Sequence, residues 1–113
     1  MEIVKKINLD DLEKMSQRMF EPLVKAVVDV KNRTMAVDAD LHSDEELLLL
    51  ESGSKQDDLW GINLWPDKYG TDEFVEFDSM INLRPHQKNY SRGVQNADTR
   101  ALILEIVNEA VSK

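Results

Sequence analysis

Residues 74–93 are the best candidates for chemistry in this 113-residue chain. Their first part, residues 74–84, alternates apolar and polar residues, which is typical of a half-buried β-strand. Their second part is a polar, basic loop that ends at Gly93 and leads into a predicted helix. Backbone N–H groups before a helix, together with arginine, suit a phosphate or a carboxylate. We therefore predict a site for a small anionic or polar ligand, formed by Asp78, Asn82, Arg84, Asn89, Ser91 and Arg92.

Two structural explanations compete with ligand binding in this stretch. The polar side chains of the loop could tie down their own backbone, and Arg84 could form an ion pair with Glu76 or Asp78 across the sheet. The loop lacks the glycine patterns of nucleotide-binding motifs. Ser79 lacks the Gly-x-Ser-x-Gly context of a hydrolase nucleophile, and alternation puts it on the buried side of its strand. The sequence therefore assigns no catalytic residue and does not decide whether the protein is an enzyme.

Carboxylates on the predicted outer face of the sheet form a second candidate site. Asp38, Asp40 and His42 alternate on one predicted strand, and two carboxylates with one histidine could hold a divalent transition metal. The spacing of a calcium-binding EF-hand loop is absent, and helix capping explains Ser43 and the acidic residues after it. We assign no metal site and no cofactor. The same face would carry Asp29, Asp38, Asp40, Asn63, Trp65, Glu76, Asp78, Asn82 and Arg84.

The composition indicates a folded protein with unevenly distributed charge. The formal net charge is −8, from 14 basic and 22 acidic residues, and 42% of the residues are hydrophobic. The acidic residues concentrate in residues 38–58 and basic ones in residues 84–100. Net negative charge argues against binding to duplex nucleic acid. The longest apolar run is four leucines, far shorter than the roughly 20 residues of a membrane span.

The same sequence features predict a cytoplasmic location. There is no cysteine, which excludes disulfides and thiolate metal sites. The first six residues lack the basic region and apolar run of a secretory signal. We expect a cytoplasmic protein without a membrane partner.

Three helices are predicted from their capping residues. Asn8 is placed to cap the first helix, which we expect to end at about Phe20 because a proline follows. Ser43 is placed to cap the second helix, and Gly53 to end it. Asn96 is placed to cap the third helix, whose apolar stripe should lie on the sheet.

Five stretches of the chain are predicted as strands. They are residues 2–6, 23–31, 34–41, 59–65 and 74–84. The second and third of them form an antiparallel hairpin. The elements therefore predict one domain over residues 1–113 with an α+β fold. It would be an antiparallel sheet of four to five strands with about three helices packed mainly on one face.

Three stretches of the chain resemble an uncharacterised family of short bacterial and archaeal proteins, known only as a domain of unknown function. They are GSKQDDLWGIN at residues 53–63, EFDSMIN at residues 76–82 with the Arg-Pro pair at 84–85, and SRGV at residues 91–94. The resemblance covers nearly the whole chain and implies a prokaryotic cytoplasmic protein. It implies no activity and no catalytic residue.

The function that these observations favour is a non-catalytic ligand- or partner-binding module with a site for a small anionic or polar ligand. One alternative is a small metal-assisted hydrolase that uses carboxylates of the sheet face. Another is a protein-interaction subunit, for instance a homodimer that pairs its exposed strands. The sequence does not give strand order, ligand identity or oligomeric state.

Overall fold

The computed structural model describes residues 1–19 and 21–113 of the chain. The strands are β1 (Glu2–Val4), β2 (Ile7–Asn8), β3 (Val24–Asp29), β4 (Thr34–Val37), β5 (Leu59–Leu64), β6 (Val75–Glu76) and β7 (Val111–Ser112). The helices are α1 (Leu9–Gln17), α2 (His42–Glu51) and α3 (Ala97–Ala110). Within the described residues, five strands form an antiparallel sheet in the order β1-β4-β3-β5-β6, and β2 pairs with β7 in parallel. The predicted α+β fold is confirmed.

Helices cover both faces of the sheet. On one face, α1 and α3 bury side chains such as Leu12 and Ile103 against Ile62 and other apolar residues of the inner strands. On the opposite face, α2 buries Leu49 against Val27 of β3 and its neighbours. Each inner strand therefore contributes apolar side chains to two cores, which explains why β3 and β5 are almost continuously buried.

The predicted caps of the first and last helices are confirmed. Asn8 Oδ1 accepts a hydrogen bond from the Asp11 N–H at 2.8 Å, and Asn96 Oδ1 accepts one from the Thr99 N–H at 3.0 Å. Each bond satisfies one of the free donors at a helix start. α1 ends at Gln17, and the end predicted at about Phe20 lies outside the described residues.

The predicted boundaries around α2 are wrong at its start and right at its end. β4 stops at Val37 because Asp38 turns into the left-handed region with φ 69°, and α2 begins at His42 without a side-chain cap. Ser43 is therefore inside the helix. Asp38, Asp40 and His42 do not alternate on one strand. Gly53, at φ 103°, ends α2 as predicted, in a conformation that favours glycine.

The long strand predicted at residues 74–84 is wrong. Only Val75 and Glu76 pair with β5, and the chain then turns through 3₁₀ segments at Met80–Asn82 and Pro85–Gln87. Ser79 is buried as predicted, whereas Leu83 is 40% exposed. These turns carry the chain back over the α2 face of the sheet, where α2 and Ile81 share the second core.

Candidate functional site

Asn82 completes the sheet where β6 ends. β6 covers only Asn63 and Leu64 of β5, which leaves the backbone of Gly61 without a strand partner on that side. The Asn82 side chain donates to the Gly61 carbonyl at 2.9 Å and accepts from the Gly61 N–H at 2.8 Å. Asn82 is fully buried, and its amide therefore does for Gly61 what a neighbouring strand would do.

Gly61 has no side chain, and this lets the chain segment after β6 lie against β5. A Cβ atom built on it would lie 2.5 Å from both Cβ and Oγ of Ser79, which is closer than real Cβ contacts. Ser79 itself caps the turn that follows, because its Oγ accepts from the Ile81 N–H at 3.3 Å. The absence of a side chain at residue 61 thus lets the segment that carries Asp78 lie directly on the sheet.

Asn89 and Arg84 hold the basic loop to the same surface. Asn89 is buried, and its amide donates to the carbonyls of Asn82, at 2.6 Å, and Gly93, at 2.8 Å. Arg84 is also buried and donates to the carbonyls of Gln56 and Leu59, while its guanidinium lies 4.1 Å from the centre of the Trp60 ring. Burial lowers the pKa of Arg84.

The ion pair expected between Arg84 and Glu76 or Asp78 is wrong. Among the described residues no carboxylate lies within salt-bridge distance of Arg84, and Asp78 instead pairs with Arg92, Oδ1 to Nε, at 2.6 Å. The competing explanation, a loop that ties down its own backbone, describes Asn82, Arg84 and Asn89 well. Their polar groups are bonded mainly to protein backbone; Arg84 Nη1 also donates to Gln87 Oε1 at 2.9 Å, and Arg84 Nε has no partner in the described structure.

A cleft of about 890 Å³ opens at the end of the sheet next to this loop. We call it the sheet-end cleft. Its walls come from the end of α1, the start of α2 and the segment between β6 and Met80, and it is floored by β3, β5 and β6. Asp78 and Arg92 form one wall. Two of the six predicted site residues therefore line a cavity of the size that small ligands occupy.

The floor of the cleft is a polar row across three strands. Lys25 of β3 pairs in register with Asn63 of β5, and Asn63 pairs with Glu76 of β6, so that the three side chains share one face. Asn63 is 6% exposed and donates to Glu76 Oε1 at 2.8 Å. Its Oδ1 has no hydrogen-bond partner in the described structure. A buried amide oxygen without a hydrogen-bond partner lowers the stability of the folded protein, so the presence of Asn63 at this position needs an explanation.

The N-terminus of α2 opens into the cleft. Its N-cap, Leu41, has no side-chain oxygen to accept from the first helical N–H groups. Among the described residues no acceptor is found for the N–H groups of His42 and Ser43, both of which line the cleft. Free N–H groups at a helix start attract an anion.

His42 presents a neutral ring to the same space. Its Nε2 lies 2.8 Å from the Ile62 carbonyl, which can only accept, so Nε2 carries the proton and Nδ1 keeps a lone pair. Burial lowers the pKa of His42, and the nearby charge of Lys25 lowers it further, against opposing effects that include Asp78. His42 is therefore an uncharged hydrogen-bond acceptor at pH 7.

Of the three cations that line the cleft, Lys25 is the one without a carboxylate partner in the described residues. Arg18 is held by both oxygens of Asp38 at 2.9 Å, and Arg92 is held by Asp78. Lys25 donates to the Asp40 carbonyl at 2.8 Å, and its other two N–H donors have no partner within the described part of the chain. The carboxylates of Glu21, Asp40 and Glu76 also line the cleft.

The sequence missed Lys25, and it proposed His42 only as a metal ligand. Lys25 was not singled out, because the partners of its strand could not be predicted. Of the six predicted site residues, Ser91 lies exposed on the loop, where its Oγ accepts from the Gly93 N–H at 3.2 Å. In residues 1–19 and 21–113, no group of three or more histidine or acidic side chains is arranged to hold a metal ion. In these same residues no helix is long and apolar enough to cross a membrane.

The chain belongs to the family described as Protein of unknown function (DUF5674), which it matches over residues 1–110. This confirms the predicted resemblance to an uncharacterised family. No curated protein matches the chain, and neither does any solved structure.

Proposed function

We propose that this protein is a non-catalytic binding module for a small ligand with an anionic group, which docks in the sheet-end cleft between Lys25 and the N-terminus of α2. The observation that carries the proposal is that Lys25, which has no carboxylate partner among residues 1–19 and 21–113, lines the same cleft as the N–H groups of His42 and Ser43, for which these residues provide no acceptor. In this proposal Asp78 and Arg92 form one wall of the cleft. Asn82 and Asn89 hold that wall in place.

The expected affinity for a simple anion is modest. A charge at a helix N-terminus gains up to about 2 kcal/mol in partly buried geometry, and a charge-assisted hydrogen bond about 1.5–3 kcal/mol. Together these give a dissociation constant on the order of 1 mM, which corresponds to about 4 kcal/mol. A natural ligand that also engages the rest of the cleft would bind more tightly.

The test is a titration of ¹⁵N-labelled protein with inorganic phosphate and with acetate, followed by NMR. We expect localised shifts at the amides of residues 25, 42 and 43, and loss of these shifts in Lys25→Met. Lys55→Met is the matched control, because this substitution removes the same charge from an exposed lysine that lies outside the cleft. Unchanged shifts in Lys25→Met, or no localised shift with either anion at 50 mM, would contradict the proposal.

A protein partner is the second candidate, and exposed apolar side chains favour it. Leu47 on α2 and Met80 at the rim of the cleft are 55% and 62% exposed. Sedimentation of the purified chain tests the homodimer form of this candidate, since a monomer at 100 μM would exclude it. Both candidates keep the location expected from the sequence, the cytoplasm of a bacterium or archaeon.

A further inference from the structure

The two ends of the polar row carry opposite charges that are both unmatched. Lys25 stands at one end without a carboxylate partner. At the other end, Glu76 Oε1 accepts from Asn63 Nδ2 at 2.8 Å and from Trp65 Nε1 at 3.3 Å. In the part of the chain that the structure describes, no cation lies within salt-bridge distance of Glu76. Lys68, eight residues before Glu76, pairs with Glu73 instead.

We infer that the ligand of the sheet-end cleft is a zwitterion, whose anionic group binds Lys25 and the α2 N-terminus and whose ammonium group binds Glu76. The inference rests on the proposed function and adds the second charge to it. A dianion is disfavoured, because its second negative group would lie beside Glu76. A simple cation is disfavoured in the same way by Lys25.

The geometry sets the length of the ligand. Neighbouring strands lie about 4.8 Å apart, so the backbones of β3 and β6, with β5 between them, are separated by roughly 10 Å. Side chains on one face of a sheet stand roughly perpendicular to it, so the ligand must bridge a distance of this order between Lys25 and Glu76. The ligand therefore carries its two charges several bonds apart, as an ω-amino carboxylate does.

The far end of the row fits an ammonium group. Asn63 Nδ2 already donates to Glu76, which leaves Asn63 Oδ1 in the middle of the row without a partner in the described structure. The Trp65 ring lines the cleft, and its indole N–H donates to Glu76. A carboxylate beside an aromatic face favours an ammonium over a neutral group.

The test compares three probes that differ in one charged group each. The probes are 4-aminobutyrate, butyrate without the amine, and butylamine without the carboxylate, each titrated by ¹⁵N NMR, with 6-aminohexanoate as a longer zwitterion. We expect at least one zwitterion to bind about tenfold more tightly than butyrate or butylamine, with shifts at residues 25, 63 and 76. In Glu76→Gln this advantage over butyrate is lost, while the affinity for butyrate stays within twofold. Glu51→Gln, an exposed carboxylate at the end of α2 and outside the cleft, is the control and keeps the advantage.

The outcomes separate this inference from the proposed function. If butyrate and both zwitterions bind equally well at residues 25 and 42, the zwitterion inference is overturned and the anion site stands. If butylamine alone binds, at Glu76, both are overturned. If the advantage of the zwitterions survives Glu76→Gln, the ammonium group binds elsewhere and the inference fails.

Discussion

Glu45 should make the protein lose stability as the pH rises. This carboxyl group is fully buried at the start of α2; its Oε2 accepts from the Ala39 N–H at 3.2 Å, and its Oε1 has no partner in the described structure. Burial raises the pKa of Glu45 from its ordinary 4.5 to about 10, against smaller opposing effects of Ala39 and Lys25. Glu45 is therefore protonated in the folded protein at neutral pH.

The sign and size of the effect follow from proton linkage. Above pH 4.5 the unfolded chain releases the proton of Glu45 while the folded chain keeps it, so a rise in pH favours unfolding up to about pH 10. The slope is about 1.4 kcal/mol per unit of pH, which amounts to roughly 3 kcal/mol lost by pH 7. This is a large part of the 5–15 kcal/mol that typically stabilises a domain.

The assay is urea unfolding of the wild type and of Glu45→Gln at several pH values between 5 and 9. Glutamine has the same shape and cannot ionise, so the variant should be more stable than the wild type at pH 7 by up to about 3 kcal/mol, with the difference growing toward pH 9. Glu51→Gln, an exposed carboxylate at the end of the same helix, is the control and should follow the wild type. A constant difference between Glu45→Gln and the wild type across this pH range would refute the reasoning.

Three further predictions concern the framework of the fold. Asn82→Ala leaves the buried N–H and carbonyl of Gly61 unpaired and should cost about 2–4 kcal/mol in urea unfolding, whereas a loss below 1 kcal/mol would show that the pairing is dispensable. Gly61→Ala drives a Cβ atom into Ser79 and should cost about 1–3 kcal/mol, and the added Ser79→Gly change should recover most of it; no recovery would locate the clash elsewhere. Asn96→Ala removes the α3 cap and should cost about 1 kcal/mol, which Asn96→Ser should largely restore; equal losses in both variants would argue against capping.

The parts of the fold that could be predicted are those set by local contacts. The caps at Asn8 and Asn96 and the glycine stop at Gly53 depend on residues three or four positions away, which the sequence displays directly. The strand at Leu59–Leu64 was recognised from its alternation, which tertiary packing did not override.

The long strand failed because its decisive partner is distant in sequence. Residues 74–84 alternate as a strand does, but Asn82 bonds through its side chain to Gly61, 21 residues earlier. When a polar side chain makes the hydrogen bonds of a missing strand partner, the sequence shows no periodic pattern that reveals it.

Only some of the residues that line the cleft were named from the sequence. Asp78 and Arg92 were chosen for their charge, and both line the cleft. Arg84 was also chosen for its charge, yet its guanidinium donates hydrogen bonds to the carbonyls of Gln56 and Leu59. Lys25 is a candidate site residue because the strand register sets it beside Asn63. The register depends on strand order, and the sequence does not give strand order.

The most direct test of the anion site is a crystal structure of the protein soaked in selenate, located by the anomalous scattering of selenium. We expect a selenate whose oxygens lie about 3 Å from Lys25 Nζ and from the backbone N–H groups of His42 or Ser43, and its absence in Lys25→Met. Selenate bound only elsewhere, for instance at the start of α3, with the cleft of the wild-type protein empty, would contradict it.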